Sequence, residues 1–275
     1  MSMRILVTGS DGFLGRAVMR RLRQRSDEVV PVTRRVPAAV GAMSCELSDP
    51  AALALMLRAV APSVVVNLSA TVDFTAGSLP RLYAVNALCP GVCAAYCATS
   101  AALLIQASTV AVHGLQTTRL AADVPVAPDT DYGQSKWLGE QNVRASGCDS
   151  AVIRFGGIFG NGGPSHLGIN RSIGAARLGQ RPVLIGSGRA RRNYIYVDDA
   201  AAAIETAIDQ RLTGVFYGAG ETRSLRDMLQ SICDVWLPGQ SPEMKPGSEA
   251  ADQVIAGSAE LGAPRSFVGA LEHAR

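Results

Sequence analysis

A tyrosine and a lysine stand four residues apart in the stretch DTDYGQSKWLGE, residues 129–140. If this stretch is helical, Tyr132 and Lys136 share a face, because positions i and i+4 are neighbours on an α-helix. A free tyrosine has a pKa of about 10, and lowering it by about 3 units requires about 4 kcal/mol of differential stabilisation of the phenolate. A nearby ammonium group favours the charged phenol and can supply much of that. The pair therefore indicates proton transfer, although the same spacing also occurs by chance on surface helices.

Three glycines follow the first apolar run in the stretch ILVTGSDGFLGRAV, at Gly9, Gly12 and Gly15. The apolar run predicts a strand, and the residues after the loop predict a helix. Glycines between them let the backbone approach a pyrophosphate, whose charge the N–H groups of the helix N-terminus then hold. The triplet is also compatible with a plain tight turn, but its position after a first strand favours a dinucleotide site.

The end of the second predicted strand, VVPVTRR, bears on which dinucleotide binds. An acidic residue at this point would accept hydrogen bonds from the adenine ribose of NAD, but this chain has Thr33, Arg34 and Arg35. A hydroxyl and two guanidinium groups suit a 2′-phosphate, because arginine presents a planar fork of donors. The sequence favours NADP, and NAD remains possible if the two arginines are only solvated loop residues.

The elements that must position these residues are short β-branched runs that alternate with helix-length segments. The expected strands are RILVTG, VVPVT, VVVNLS, LLIQAS and SAVIRF, and the expected helices are 13–25, 50–60, 81–99 and 132–144. Continuous apolar strands separated by helices indicate a parallel sheet covered on both faces. We therefore predict an α/β fold with a doubly wound (Rossmann) sheet.

After Phe155 the alternation gives way to the loop GGIFGNGGPSHLG, a helix near 169–178, the strand PVLIG and the basic stretch GRARRNYIYVDD. This part no longer repeats the strand-helix unit. We predict a dinucleotide-binding domain of residues 1–155 and 193–221, and a smaller C-terminal substrate-binding lobe of residues 156–192 and 222–275.

Composition narrows the classes of partner. The 26 lysines and arginines exceed the 23 aspartates and glutamates by three, too weak and too even a bias to indicate nucleic acid or a membrane surface. The six cysteines lack the short pairs and nearby histidines of a zinc site, so we expect no metal and interpret them as core residues in a reducing compartment. A small-molecule substrate is the partner that remains.

One uncharged stretch, residues 82–118, could be mistaken for a membrane span. Pro90 and the polar pair Thr99-Ser100 interrupt it, and its apolar content is mostly alanine and cysteine, so we predict a buried helix followed by a buried strand. The N-terminal MSM runs directly into the first strand and leaves no room for a signal peptide. We therefore expect a cytoplasmic protein.

Taken in order, the motifs resemble those of the extended short-chain dehydrogenases/reductases, also called the NAD-dependent epimerase/dehydratase family. The resemblance covers nearly the whole chain and is carried by TGSDGFLG, VVVNLSA, VNALCPG, ASTVAVHG, YGQSK, RFGGIFG and RRNYIYVDD. The stretches LSDPAALALMLRAVAPSVVVNLSA and YGQSKWLGEQNV are most similar to the dTDP-4-dehydrorhamnose reductase branch. RRNYIYVDD is more similar to the nucleotide-sugar epimerases, so the chain does not resolve into one branch.

The resemblance implies roles for individual residues. Tyr132 would be the acid/base, Lys136 would bind the nicotinamide ribose and tune the tyrosine, and Thr109 would hydrogen-bond the reacting oxygen, with Ser108 as the alternative. Gly133 is the small residue that could leave space for a ligand beside the tyrosine. The implied cofactor contacts are Gly9, Asp11, Gly12, Phe13, Leu14, Gly15, Thr33, Arg34, Arg35, Glu46, Leu47, Leu68, Ser69, Ala70, Tyr132 and Lys136. The implied substrate contacts are Thr71, Ser108, Arg192 and Tyr196.

Some positions depart from the family pattern. Val110 and Ala111 follow Thr109, where dehydratases of the family carry an acidic pair, and neither side chain can transfer a proton. Dehydration is therefore disfavoured. His113 replaces the tyrosine of the family's VYG and is expected to be a packed residue, while Asn86 matches a family asparagine that we interpret as structural support.

The substrate class rests on two opposing observations. Gly157 stands three residues after Arg154, where nucleotide-sugar enzymes of the family commonly carry an asparagine that holds the diphosphate. Arg192 nevertheless matches the diphosphate-binding arginine, with Arg189 and Arg191 nearby to add charge. The alternative is a solvated basic loop.

These inferences predict an NAD(P)-dependent oxidoreductase that transfers hydride to or from a carbonyl carbon, with a nucleotide-linked sugar as substrate. A keto-sugar reductase is favoured, because NADPH is the usual reductant of biosynthesis and Thr33, Arg34 and Arg35 favour NADP. The alternatives are a nucleotide-sugar epimerase with tightly held NAD and a non-catalytic NAD(P)-binding regulatory subunit. The family also implies a homodimer formed through the helices at 81–99 and 132–144.

Overall fold

The computed structural model describes residues 2–34, 41–72, 75 and 77–275. Arg35, one of the expected cofactor contacts, lies outside the described residues. The other predicted site residues lie within them.

A parallel sheet of seven strands forms the centre of the fold. In sheet order the strands are β12 (Gly214–Gly218), β7 (Ser150–Phe155), β5 (Leu103–Thr109), β4 (Val64–Asn67), β1 (Arg4–Thr8), β2 (Glu28–Thr33) and β3 (Met43–Ser44). Each neighbouring pair is parallel. The order runs outward in opposite directions from β1 and β4, which places a ligand crevice at the carboxyl ends of these two strands. The predicted doubly wound α/β fold is confirmed.

Helices cover both faces of the sheet. They are α1 (Phe13–Leu22), α2 (Pro50–Val60), α3 (Leu79–Tyr83), α4 (Cys89–Ser100), α5 (Asp131–Ser146), α6 (Gly168–Arg177), α7 (Val197–Asp209), α8 (Leu225–Trp236) and α9 (Phe267–His273). Successive side chains of β1 point to opposite faces, so Ile5 and Val7 pack with α1 and α7 while Leu6 packs with α2 and α4. Burial on both faces explains why the strand reads as one apolar run.

Shorter strands lie outside the main sheet and pair two by two. They are β6 (Arg119–Leu120), β8 (Ile158–Phe159), β9 (Val183–Ile185), β10 (Arg191–Asn193), β11 (Ile195–Tyr196), β13 (Thr222–Ser224), β14 (Glu243–Lys245) and β15 (Val254–Ile255). Phe159, Ile173, Met228 and Phe267 belong to the same hydrophobic cluster as α1 and α7. The C-terminal part therefore shares its core with the sheet, and the division into two domains stays a prediction.

Several elements have no individual counterpart among the predicted ones, among them β3, α7, α8 and α9. The first is only two residues long, and the three helices follow the point at which the strand-helix alternation stops. Tertiary contacts determine both cases. Helices α8 and α9 bury Ile232 and Leu271 completely in the cluster around α7.

The helix predicted over 81–99 is present and contains a π-helical turn. Helix α3 continues through the π-helical turn Ala84–Leu88 into α4. By length and composition Leu79–Ser100 could cross a membrane, yet half of its apolar window is buried inside the fold. Cys89, Cys93 and Cys97 lie on the inner side, each at most 1% exposed, so they are the core residues that the sequence predicted.

Candidate active site

The glycine loop joins the end of β1 to the N-terminus of α1. Gly9 has a φ of +65°, in the left-handed region that suits glycine. A Cβ atom at Gly15 would lie 2.1 Å from the Gly9 carbonyl oxygen, so only glycine fits there. Gly12 is the N-cap of α1, and no side chain caps this end of the helix. The loop thus has the close packing and the uncapped helix end that a pyrophosphate requires.

A groove of about 700 Å³ runs along this loop. The predicted binding residues that line it are Gly9, Asp11, Gly12, Arg34, Glu46, Leu47, Leu68, Ser69, Ala70 and Thr71. Phe13 and Leu14 begin α1 and pack, partly buried, against the core, and Thr33 ends β2, where its carbonyl accepts from the Cys45 N–H at 3.0 Å. The groove and its glycine cradle fit a dinucleotide.

The groove is also lined by two arginines, Arg16 and Arg81, that the sequence analysis did not single out. Arg16 donates from Nη1 to the Asp11 carbonyl at 2.7 Å. Arg81 donates from Nη2 to both carboxylate oxygens of Glu46 at 3.0 Å. Arg16 directly follows Gly15, and its position next to the glycine loop could have indicated that it lies in the groove. Nothing local indicates that Arg81 meets a carboxylate 35 residues away.

A buried chain of hydrogen bonds connects the groove with Lys136. Ser69 donates to Asn67 Oδ1 at 2.5 Å, and Asn67 Nδ2 donates to Gln106 Oε1 at 2.8 Å. The carbonyl of Ala107 then accepts from Gln106 Nε2 at 2.8 Å and from Lys136 Nζ at 2.7 Å. These contacts fix the lysine, which is 3% exposed, relative to the ends of β4 and β5.

The structure brings Thr109 and Tyr132 together. Thr109 is the last residue of β5, and its Oγ1 accepts from the Ala111 N–H at 3.2 Å. Tyr132 lies in the first turn of α5, where Thr130 caps the helix by accepting from the Gly133 N–H at 3.1 Å. The Thr109 hydroxyl lies near enough to the Tyr132 phenol to lower its pKa, in the opposite direction to burial. The hydroxyl and the phenol therefore form one site at the carboxyl end of the sheet.

Gly133 has a different role from the predicted one. A Cβ atom at this position would lie 2.7 Å from the Ala111 carbonyl oxygen. The missing side chain therefore lets α5 approach the turn after β5, which places Tyr132 beside Thr109. The prediction that Gly133 leaves space for a ligand is wrong, because its surroundings are protein backbone.

Burial controls the protonation of the tyrosine and the lysine. Burial raises the pKa of Tyr132 to about 12, against an opposing effect of the hydrogen bond with Thr109. Burial lowers the pKa of Lys136 to about 8, against the opposing charge of Glu140. Desolvation of the phenolate is the largest cause of the raised tyrosine pKa, and no effect of Lys136 is among its causes; that Lys136 tunes the tyrosine stays a prediction. With this raised pKa, the Tyr132 phenol is protonated at neutral pH.

Ser108, the alternative catalytic hydroxyl and a predicted substrate contact, is used inside the protein. It is 7% exposed, and its Oγ donates to Glu140 Oε1 at 2.5 Å. Arg154 binds the same carboxylate from Nε at 3.1 and 3.2 Å and from Nη2 at 2.6 Å. This geometry does not support a contact between Ser108 and substrate.

The far side of Arg154 contacts His113 and Tyr217. Arg154 Nη1 lies 2.8 Å from the Tyr217 hydroxyl and 3.1 Å from His113 Nε2. His113 is 2% exposed, its Nδ1 lies 2.9 Å from the Pro125 carbonyl oxygen, and burial lowers its pKa. As the sequence predicted, this histidine is a packed residue.

Asn86 lies in the π-helical turn and holds three segments together. Its Oδ1 accepts from the Thr71 N–H, and its Nδ2 donates to the Thr71 carbonyl and to Ser135 Oγ, at 2.9, 2.9 and 3.0 Å. Ser135 precedes Lys136, so Asn86 connects the loop after β4 with helix α5. The predicted supporting role of Asn86 is confirmed by this geometry.

Two of the other predicted substrate contacts, Tyr196 and Arg192, make contacts within the protein. Tyr196 is 6% exposed and packs against Phe159, with ring centroids 5.6 Å apart, while Arg265 lies 5.4 Å from its ring centre. It is a core residue, and the geometry does not support contact with substrate. Arg192 donates from Nη1 to the carbonyls of Arg191 and Ala251.

In the part of the chain that the structure describes, no group of three or more His, Cys, Asp or Glu side chains is placed to hold a metal ion.

Comparison with known families and proteins agrees with this geometry. The family described as the RmlD substrate binding domain matches residues 3–232. The spore coat polysaccharide biosynthesis protein SpsK of Bacillus subtilis is 31% identical over 171 residues, which cover 60% of this chain and 56% of SpsK. The dTDP-4-dehydrorhamnose reductase of Burkholderia thailandensis is 29% identical over 252 residues, which cover 87% of this chain and 81% of that protein.

Solved structures confirm the fold. UDP-N-acetylglucosamine 4-epimerase from Bacillus cereus has a TM-score of 0.85 at 22% identity, covering 99% of this chain and 98% of that one. The agreement extends over the sheet and the C-terminal part alike.

Proposed function

The chain belongs to the RmlD substrate-binding domain family, and from this premise we propose that it is an NAD(P)-dependent reductase of a keto group on a nucleotide-linked sugar. The observation that carries the proposal is the placement of Thr109 at the carboxyl end of β5 and of Tyr132 in the first turn of α5, together with the glycine-lined groove at the carboxyl ends of β1 and β4. The curated relatives include a protein named dTDP-4-dehydrorhamnose reductase. Its name supports reduction of this class of substrate.

The cofactor would lie along the glycine loop. Gly9, Gly12 and the N-terminus of α1 would hold the pyrophosphate. Arg34, which lines the groove at the end of β2, supports NADP over NAD, because a guanidinium group suits a 2′-phosphate. Arg16, beside it in the groove, adds a second positive charge. The nicotinamide supplies or accepts the hydride when the cofactor is bound.

Tyr132 donates the proton in reduction. Its raised pKa of about 12 keeps the phenol protonated at neutral pH, so it can donate to the oxygen of a carbonyl that is being reduced. Thr109 orients that oxygen through its hydroxyl. Lys136, with one proton directed to the Ala107 carbonyl, has two others to donate to a ligand and keeps positive charge near the phenol. The opposite reaction requires the phenolate and is therefore favoured at high pH.

Substrate recognition is assigned to the C-terminal part. We propose that residues 156–192 and 222–275 form the substrate-binding lobe and that Thr71 and Arg192 contact the nucleotide-linked sugar. A basic surface supports this assignment, because Arg189 and Arg191 lie near Arg192 and are exposed. Diphosphate groups bind well to arginine.

An experiment separates reductase from epimerase. Purified protein is incubated with a dTDP-4-keto-6-deoxy sugar and NADPH, and absorbance of NADPH and product composition are followed together. Net consumption of NADPH with formation of the hydroxyl sugar supports the reductase. Conversion of a nucleotide-linked sugar into its epimer without consumption of NADPH would instead support the epimerase, which the epimerase-like stretch RRNYIYVDD favours.

The variant Y132F tests the regulatory alternative. If the protein is an enzyme, Y132F keeps cofactor binding and loses turnover, because only the proton donor is removed. A regulatory subunit would keep its biological activity in Y132F and lose it when the glycine loop is altered.

The proposal extends to the oligomeric state and the cellular location of the protein. We propose a homodimer through the helices α3, α4 and α5, supported by Leu88 and Leu138, which are 49% and 43% exposed on these helices. Light scattering on the purified protein tests it, and a monomeric mass contradicts it. A cytoplasmic location stays a prediction.

A further inference from the structure

Glu46 and Arg81 form an ion pair at the wall of the cofactor groove. Glu46 follows β3, and Arg81 lies in α3, so the pair bridges two segments of the wall. The guanidinium Nη2 lies 3.0 Å from each carboxylate oxygen. Ser48 fixes the same carboxylate by donating from its N–H at 3.1 Å and from its hydroxyl at 2.8 Å. The negative charge therefore has a defined position.

Arg81 neutralises the negative charge that Glu46 would otherwise present to a ligand in the groove. Its described charged residues are Asp11, Arg16, Arg34, Glu46 and Arg81. Burial alone would raise the pKa of Glu46, but hydrogen bonds from Ser48 and Arg81 bring it below its usual value, so the carboxylate is charged at neutral pH. Arg81 is the cation in contact with it. Without Arg81, the groove would present an unpaired carboxylate to any ligand that enters.

We propose that Arg81 sets the groove's affinity for anionic dinucleotides, and its preference for NADP over NAD, by neutralising Glu46. The inference rests on the proposed function. Like charges repel with an energy that grows with the product of the charges, and a phosphate monoester such as the 2′-phosphate adds about −1.5 to −2 charges at neutral pH. An unpaired Glu46 therefore penalises NADPH more than NADH. Arg81 acts as a specificity-determining residue through Glu46.

The test is a double-mutant cycle read by cofactor binding. The variants are R81A, E46Q and the double variant E46Q/R81A, with R58A as the matched control, because Arg58 is exposed in α2 outside the groove lining. Dissociation constants for NADPH and for NADH are measured by quenching of protein fluorescence at low and at high salt. Circular dichroism confirms that each variant is folded.

The expected results differ between the variants. R81A weakens NADPH binding about five- to tenfold and NADH binding about two- to threefold, as expected for a screened charge repulsion. The loss of affinity in R81A becomes smaller at high salt, because ions screen exposed charges. E46Q/R81A returns to within about twofold of the unaltered protein, and R58A does not change either constant.

Other results would overturn the inference in distinguishable ways. If E46Q/R81A binds NADPH as weakly as R81A, Arg81 acts by direct contact and not by neutralising Glu46. If R81A loses the same affinity for NADPH as for NADH, Arg81 does not set the preference for NADP. An unaltered protein that binds neither dinucleotide contradicts the proposed function itself, whereas normal binding with an R81A variant that binds equally well contradicts only the inference.

Discussion

The Ser108 hydroxyl and the Glu140 carboxylate are joined by a hydrogen bond of 2.5 Å. This contact directs Ser108 toward the buried side of α5, whereas the next residue, Thr109, interacts with Tyr132. Successive side chains of a strand point to opposite sides, so these two adjacent hydroxyls cannot both reach the phenol. This geometry favours Thr109 over Ser108 as the proposed hydroxyl of the active site.

The first prediction concerns these two hydroxyls. T109A is expected to lower kcat roughly 10²-fold, the usual effect of removing one donor to the reacting oxygen. S108A is expected to keep kcat within a few-fold and to lower the free energy of unfolding by about 1–3 kcal/mol, because it removes a partner from a buried carboxylate. Steady-state kinetics and urea denaturation measure the two effects. T109S should restore most of the activity, and a loss of kcat in S108A as large as that in T109A would reverse the assignment.

The second prediction concerns the ion pair of Glu140 and Arg154. Their side chains are 4% and 7% exposed, and removing one partner of a buried pair leaves an uncompensated charge, which costs about 3–5 kcal/mol. E140Q should therefore lower the free energy of unfolding by roughly that amount. The control is D123N in the pair with Arg119, whose side chains are more than 60% exposed, and which should change stability by less than about 1 kcal/mol. Similar small effects in both variants would show that the buried pair is not a stability determinant.

The third prediction concerns the pH dependence of Lys136. Burial lowers its pKa from 10.5 to about 8, so between these pH values the unfolded chain binds more protons than the folded one, and this contribution to stability rises with pH. Below about pH 8 the charged lysine costs about 3 kcal/mol, because each pKa unit corresponds to about 1.4 kcal/mol. K136M should therefore be inactive, yet more stable than the unaltered protein by about 1–3 kcal/mol at pH 7.

The gain in K136M should shrink to less than about 0.5 kcal/mol near pH 10.5, where the lysine is neutral in the folded state and half protonated in the unfolded state. Urea denaturation at the two pH values measures it. K245M provides the control, because the Lys245 side chain is 53% exposed and its replacement should not change stability with pH. A K136M variant that is less stable than the unaltered protein at pH 7 would contradict the expected cost of burial.

The fourth prediction concerns the glycine loop. G15A places a Cβ atom 2.1 Å from the Gly9 carbonyl oxygen, so the loop must shift, and dinucleotide affinity should fall by at least about tenfold because the helix N–H groups move away from the pyrophosphate. G174A is the matched control, since a Cβ atom there has no neighbour within 4 Å. It should leave affinity unchanged and raise stability by about 0.4–1 kcal/mol. Unchanged affinity in G15A would show that the loop does not hold the cofactor.

Local patterns in the sequence were sufficient to predict much of the fold. Doubly buried strands such as β1 and β4 must be continuous apolar runs, and they alternate with helices of regular length, so the parallel sheet could be read directly. The predicted helices over 50–60 and 132–144 agree with Pro50–Val60 and Asp131–Ser146. The helix predicted near 169–178 agrees with α6, whereas the strand β3 and the helices α7, α8 and α9 were not predicted, because packing against other elements determines them.

The sequence by itself determined the chemistry that is present: a glycine loop at Gly9, an adjacent pair of hydroxyls at 108 and 109, and a phenol one helical turn before an ammonium group. These are local spacings, and a helix or a strand-helix turn fixes their geometry. Only the tertiary structure decided which hydroxyl faces Tyr132, that Gly133 serves packing, and that Arg81 meets Glu46. It also decided that burial raises the pKa of Tyr132. Desolvation and long-range contacts depend on everything that surrounds a group, and residues far apart in the chain supply those surroundings.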